Sequence, residues 1–399
     1  MNETKPLAGI RVLELAAYIS GPYAGSILSA LGAEVVKVEP TGGEPFRRGE
    51  GSKSRFFAQY NAGKRSIALN LKSPEGIDLL KRLLPKFDVV IENSRPGKTE
   101  ALGLGPEACK AINPRIVYAS VSGFSDGGPW RDRAAYDSIG QSMGGLYSIM
   151  NDEGNPKLTG TPIGDLTTAI IACMGVLVGL VGRAQDPEGR GMVAQTSLLE
   201  AMSTITVDAM TQFTDIGHSP TRQSRHPQAQ NFCLMTASGE AVTVHMSSSQ
   251  KFWENFTRTI ERPDLAEDRR FTRFADRERN YFVLRPIVEE VFLKRPAKEW
   301  QQRLIEFDVP FAPVLTMETL ANHPQYEHLK MHRLDAEGRL LVQPPWRFDG
   351  TRPIRDDHVP EIGEHSMEIA AEALSDDSIG ALIASGVLVQ YALETTAAE

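Results

Sequence analysis

Ile10-Arg11-Val12-Leu13-Glu14-Leu15, a small-residue loop over 16–21, a helical stretch over 22–31, and Glu34-Val35-Val36-Lys37-Val38 closing on Glu39 decide the fold of this chain of 399 residues. Two short apolar runs flanking a helix-length segment make a βαβ unit, and an acid after the second strand is the outline of a dinucleotide fold. The phosphate fingerprint is missing. Gly21-Pro22-Tyr23-Ala24-Gly25 does not give G-x-G-x-x-G, and Pro22 removes an N–H where a pyrophosphate needs one. A mononucleotide-like α/β fold is predicted, without NAD.

Strands are expected at 66–71, 87–92, 116–122 and 193–197, alternating with helices at 74–84 and 106–112. Two loops fall at strand carboxyl ends, where open α/β sheets place their ligands: Asn93-Ser94-Arg95-Pro96-Gly97, and the glycine-rich run from Gly123 to Trp130. An arginine held between turn residues there suits a phosphate, or is simply an exposed turn charge. Residues 46–65 carry Arg47, Arg48, Lys53, Arg55, Lys64 and Arg65, the most basic window in an acidic chain. It reads either as a solvated loop or as a contact for a polyanion.

Lys157-Leu158-Thr159-Gly160-Thr161-Pro162-Ile163-Gly164-Asp165 then opens into seventeen residues, 166–182, that carry no charge. A segment apolar on every side predicts a helix through the middle of a large core. Seventeen residues is the lower limit for a bilayer span and no second span accompanies it, so a membrane is not expected. Asp165 stands where that helix begins, among free backbone N–H groups. It is either an N-cap or a functional carboxylate, with those N–H groups, Gly164's included, as donors to an oxyanion.

One helix is expected from 198 to about 213. A polar stretch over 215–230 reads as a linker, and 231–326 as a smaller α+β domain with a hairpin, a serine tip at Ser247-Ser248-Ser249 and three amphipathic helices. The large domain takes 1–214 and the chain from 327 to 399. Net charge is −8, which argues against nucleic acid as partner. Three separated cysteines, Cys109, Cys173 and Cys233, suit neither disulfides nor a metal. Together with an amino terminus that lacks a signal peptide, they point to the cytoplasm.

With these pieces in place the chain resembles the family III CoA-transferases nearly end to end. The resemblance is carried by Leu7-Ala8-Gly9-Ile10-Arg11-Val12-Leu13-Glu14-Leu15, Gly21-Pro22, Leu31-Gly32-Ala33-Glu34-Val35-Val36-Lys37-Val38-Glu39-Pro40, Asn61-Ala62-Gly63-Lys64-Arg65-Ser66 and Glu92-Asn93-Ser94-Arg95-Pro96-Gly97. It continues through Ser120-Val121-Ser122-Gly123-Phe124, Gly164-Asp165, Gly189-Arg190-Gly191 and Gly363-Glu364-His365-Ser366. It implies a Rossmann-like large domain built from both chain ends, a smaller inserted domain, and an interlocked homodimer. The matching aspartate, Asp165, is the implied nucleophile. CoA is implied to lie on Tyr18, Ile19, Ser20, Leu69, Lys72, Asn93, Arg95, Lys98, Gly123, Tyr136 and Asp137. The implied reaction moves CoA from an acyl-CoA thioester to a free carboxylic acid through a mixed anhydride and an aspartyl-CoA thioester. CoA is then substrate, and no resident cofactor or metal is called for.

Two departures stand out. Ile19 replaces the glutamine of the formyl-CoA enzymes, and serines replace the glycine-rich lid, so formate and oxalate are discounted as substrates. Arg47, Arg48 and Arg225 are candidate partners for the distal carboxylate of a dicarboxylic acid such as succinate. The alternative reaction, that of the α-methylacyl-CoA racemases, uses a histidine where this sequence has Tyr136.

Overall fold

The computed structural model of the protein describes residues 5–391. It forms two compact units. One comprises the chain up to Tyr147, Lys157–Asp208 and the chain from Glu327 onward; the other comprises Ser148–Pro156 and Ala209–Tyr326.

The first unit is a mixed α/β fold around a parallel sheet. Its strands are β1 (Arg11–Leu15), β2 (Glu34–Glu39), β3 (Arg65–Leu69), β4 (Val89–Glu92), β5 (Val117–Ser122) and β6 (Val193–Ser197). Successive side chains go to opposite faces, and both faces are buried. Val12, Val35, Val89 and Ile91 pack with α1 (Ser20–Ala30) and the helix Ile163–Gln185, whereas Leu13, Val36 and Val90 pack with α3 (Pro74–Leu83) and the carboxyl-terminal helices. In the second unit β7 (Asn231–Met235), β8 (Ala241–His245) and β9 (Phe311–Pro313) form an antiparallel sheet. The helices Gln250–Thr259, Tyr281–Phe292 and Ala297–Glu306 bury Trp253, Phe256 and Trp300 in the same core.

Back in the first unit, β10 (His332–Leu334) pairs with β11 (Leu340–Val342), and β12 (Leu388–Val389) joins the main sheet antiparallel to β3. The main sheet runs in the order β12-β3-β2-β1-β4-β5-β6. The order reverses between β1 and β4, which brings the loops after β1, β2, β4 and β5 together at one edge. Gly21 permits this approach: a Cβ there would lie 2.3 Å from Ala16 Cβ.

Several expectations need correction. The helix Ile163–Gln185 is not encircled by core. Gly164, Thr168, Ala172, Cys173, Val176 and Gly179 are buried and it packs on α1, β5 and β6, yet Ile170, Met174, Val178 and Val181 are exposed. Small residues bring one face close to the sheet, and the large apolar residues lie along the other. Among the described residues it is the one helix long and apolar enough to cross a membrane. The single helix expected after 198 breaks at Thr206, whose hydroxyl bonds Gly144 O and Met202 O. The stretch 215–230 carries a helical turn, His226–Ala229, and Ser247 N donates to Ala229 O, so these residues fold with the second unit.

The basic window divides: Arg48, Lys53 and Arg55 are exposed, whereas two of its cations are sealed in the core. Arg47 and Lys64 are fully buried. Arg47 makes two bonds to Glu39, at 2.6 and 2.7 Å, and Lys64 Nζ meets Glu14 at 2.7 Å. Lys37 Nζ meets the other Glu14 oxygen at 3.0 Å and Glu44 at 3.3 Å.

Removing one partner of a buried pair strands the other charge. Glu14→Gln is expected to cost about 3–5 kcal/mol of unfolding free energy, against less than about 1 kcal/mol for Glu34→Gln in its half-exposed pair with Arg11. Urea unfolding measures both, and equal costs would contradict the ranking.

Candidate active site

The β1–β4 edge encloses a cavity of about 960 Å³ in the first unit. Its walls are the carboxyl ends of β1, β3 and β5, the loops after β2 and β4, the segment Arg133 to Tyr136, and Asp165. Asn93 fixes the loop after β1 from the side of β4: its Oδ1 accepts from Ala17 N at 3.0 Å, and its Nδ2 donates to Ala17 O at 2.7 Å. Neighbouring loops are thereby registered by backbone geometry.

Of the residues singled out in the sequence, Tyr18, Ser20, Leu69, Lys72, Asn93, Arg95, Lys98, Gly123, Tyr136 and Asp165 line this cavity. Lys72, Arg95 and Lys98 are exposed, and none belongs to an ion pair among the described residues. Ile19 is not a lining residue. It is half-buried at the start of α1, and its carbonyl accepts from Tyr23 N at 2.7 Å.

Asp137 also stands behind the wall. Its Oδ1 accepts from Gly164 N at 2.8 Å and from Asp165 N at 3.2 Å, and its Oδ2 accepts from Gln141 Nε2 at 2.6 Å. This overturns two readings of Asp165. The helix begins at Ile163, so Asp165 is its third residue and the capping is done by Asp137. The N–H groups expected to serve an oxyanion are already engaged, since Leu166 N donates to Pro162 O. Ser249, in the serine tip, caps the helix that follows it, accepting from Phe252 N at 3.3 Å. Ser247 to Ser249 and Arg225 belong to the second unit.

His358, Glu364 and His365 lie close enough together to suggest a metal. The donor set does not fit one. His365 Nδ1 accepts from Ser66 N at 3.3 Å, which places the proton of the neutral ring on Nε2 and removes that nitrogen as a ligand.

A cavity rimmed by unpaired cations and ending in a half-buried carboxylate suits a phosphorylated ligand with a reactive far end. The sequence profile of CoA-transferase family III matches residues 7–366. The chain belongs to CoA-transferase family III. It is 31% identical to the succinyl-CoA–D-citramalate CoA-transferase of Chloroflexus aurantiacus, over 96% of this chain and 98% of that one. It is 28% identical to the succinyl-CoA:glutarate CoA-transferase of Homo sapiens, over 98% and 92%. The crystal structure of a CAIB/BAIF family protein from Brucella suis has a TM-score of 0.81 at 29% identity, covering 94% of this chain and all of that one. As a CoA-transferase the enzyme moves CoA from an acyl-CoA thioester to a free carboxylic acid.

Within this CoA-transferase, burial pushes the Asp165 carboxyl up to about 7, and the neighbouring charge of Asp137 adds to the shift. Sequence reasoning missed Glu44, Thr41 and Arg133, which also line the cavity. Glu44 gave no signal because one acid in a polar loop looks like any solvated charge. The Tyr60 hydroxyl, whose ring meets Tyr23 and Phe46, is raised first by burial and then by the charges of Tyr23 and Asp165.

Asp165 has an ordinary value of 3.8 and titrates near 7 when folded. Between these values the folded protein holds a proton that the unfolded chain has lost, so this group costs stability as pH rises through the window, with the full penalty above about 7. Asp165→Asn is expected to raise the melting temperature at pH 8 and to lose that advantage toward pH 4. A shift that does not depend on pH would contradict the assignment.

Proposed function

We propose that Asp165 is the nucleophile of an acyl exchange running entirely through activated carboxyl groups. The observation that carries this reading is its place in the CoA-sized cavity, backed by Asp137 on the helix N–H groups. An Asp165 oxygen attacks the thioester carbonyl, the C–S bond breaks, and a mixed anhydride and CoA thiolate result. The thiolate attacks the aspartyl carbonyl, forming an aspartyl-CoA thioester and freeing the donor acid. The acceptor carboxylate then attacks that thioester, giving a second mixed anhydride and thiolate. Attack of the thiolate on the acceptor's carbonyl releases the new acyl-CoA and restores Asp165. Lys72, Arg95 and Lys98 hold the phosphates, while Tyr18, Ser20, Leu69, Asn93, Gly123 and Tyr136 line the path of the arm. No histidine is among the lining residues, so the proton abstraction of a racemase lacks its base.

For the acid, the structure narrows the arginines. Arg47 is buried on Glu39, whereas Arg48 is exposed and lies 4.1 Å from the ring centre of Phe56 and 5.7 Å from that of Phe46. Phe46 packs on Tyr18 with ring centres 5.5 Å apart, and Tyr18 lines the cavity. We therefore assign Arg48 to the distal carboxylate of a dicarboxylic acid, a reading supported by the dicarboxylates in the names of the two relatives above. The uncovered apolar face of the helix Ile163–Gln185 supports an interlocked homodimer, and a monomeric mass by light scattering would refute it. Three free cysteines support a cytoplasmic enzyme.

Asp165→Asn is expected to lower turnover at least about a thousandfold. Mass spectrometry of wild-type enzyme with acyl-CoA should find the CoA adduct on Asp165; an adduct elsewhere moves the nucleophile. The acidic limb of the rate should lie near pH 7, and Asp137→Asn should move it to lower pH by removing the like charge. In a panel of free acids, Arg48→Met should raise KM for dicarboxylates about tenfold and leave monocarboxylates unchanged. An equal effect on both classes removes Arg48 from the acid site.

A further inference from the structure

Tyr18 has φ +65°, in the left-handed region that non-glycine residues occupy only when their surroundings hold them there. It follows β1, lines the cavity, and is 39% exposed. Its ring packs edge-on against Phe46, with centroids 5.5 Å apart, and against Tyr136 at 5.9 Å. Its backbone N–H donates to Glu44 Oε2 at 3.2 Å.

Glu44 is an unusual partner for that bond. Its side chain is almost wholly buried yet lines the cavity, and its Oε1 has no hydrogen-bond partner. The carboxylate is fixed on the protein side by Lys37 Nζ at 3.3 Å, and its own backbone N–H donates to Glu39 Oε2 at 3.2 Å. A carboxyl group that leaves one oxygen unsatisfied is poorly explained as a fold-stabilising element alone. Burial also pushes its pKa up, so the site tolerates a cost to keep an acid there.

We propose that Glu44 is a positioning residue for acyl-CoA: it clamps the Tyr18 N–H, holding the strained turn in the form that stands the Tyr18 ring against Tyr136 in the cavity wall. The pantetheine arm then meets a preformed aromatic wall, and no loop ordering is charged against binding. Glu44 acts through Tyr18, without contact to the reacting atoms. This rests on the reading of the cavity as the CoA site.

The test is a double-mutant cycle on the affinity for coenzyme A, measured by calorimetry with the full-length protein. Glu44→Ala and Tyr18→Ala should each weaken binding about tenfold, the scale of one hydrogen bond to a charged group, and the double variant should bind no worse than Tyr18→Ala. A purely structural role would make the losses additive, and additivity overturns the proposal, as does unchanged affinity in Glu44→Ala. Glu44→Gln covers the case in which alanine does not fold. Its amide oxygen must serve both Lys37 and Tyr18 without the charge, so a loss of a few fold is expected, again vanishing in the Tyr18→Ala background. A loss that persists there overturns the proposal too. Adenosine 3′,5′-bisphosphate, which lacks the arm, should bind all variants alike; a parallel loss for it assigns Glu44 to the fold. Because the readout is binding, its failure is separate from that of the nucleophile assignment, which Asp165→Asn turnover decides.

Discussion

Glu14 has no exposed surface, and two ammonium groups, Lys37 and Lys64, end on its two oxygens. Burial opposes the charge on Lys37, but the surrounding glutamates outweigh it and hold that group above its ordinary pKa. Lys64 is tied further to Pro22 O and Asn61 Oδ1, so one carboxylate joins β1, β2, α1 and α2 (Arg55–Asn61). Glu39, Arg47 and Ser66 continue the network to Gly363 N near the carboxyl terminus. Stranding any one of these buried charges is costly, so the network ties the loops above it to one arrangement. The cavity wall is built from those loops.

The reactive end of the cavity sets two effects against each other. A helix amino terminus favours an anion, yet the available N–H groups go to Asp137, not to Asp165. Asp165 is left half-buried beside a like charge, and its proton affinity rises. A carboxylate that is poorly solvated and lacks strong donors is a better nucleophile toward a thioester than a fully hydrated one. The helix terminus serves to orient Asp137, and the Asp165 carboxyl is left without those donors.

Much of this was legible without coordinates. The strands at 11–15 and 34–39 follow from short apolar runs, and the loops after β4 and β5 were expected to hold a ligand because they lie at strand carboxyl ends. Ten of the residues proposed for the site line the cavity together. What could not be read was the state of individual charges. Arg47, Lys64 and Arg95 look alike in the sequence; two are sealed in ion pairs and one is open at the rim. Asp137 reads in the sequence as a ligand contact and is the cap of another helix, because a separation of 27 positions from Gly164 carries no record of that meeting.

The sequence by itself determined the parallel α/β sheet, the long apolar helix and the place of Asp165 near its start, because backbone periodicity and side-chain size act within a few residues of each position. Only the tertiary structure decided which acids and bases pair, that β12 closes on β3, and that one face of the apolar helix is uncovered. Those outcomes depend on groups brought together from far along the chain, and on a local dielectric that exists only once the core has formed.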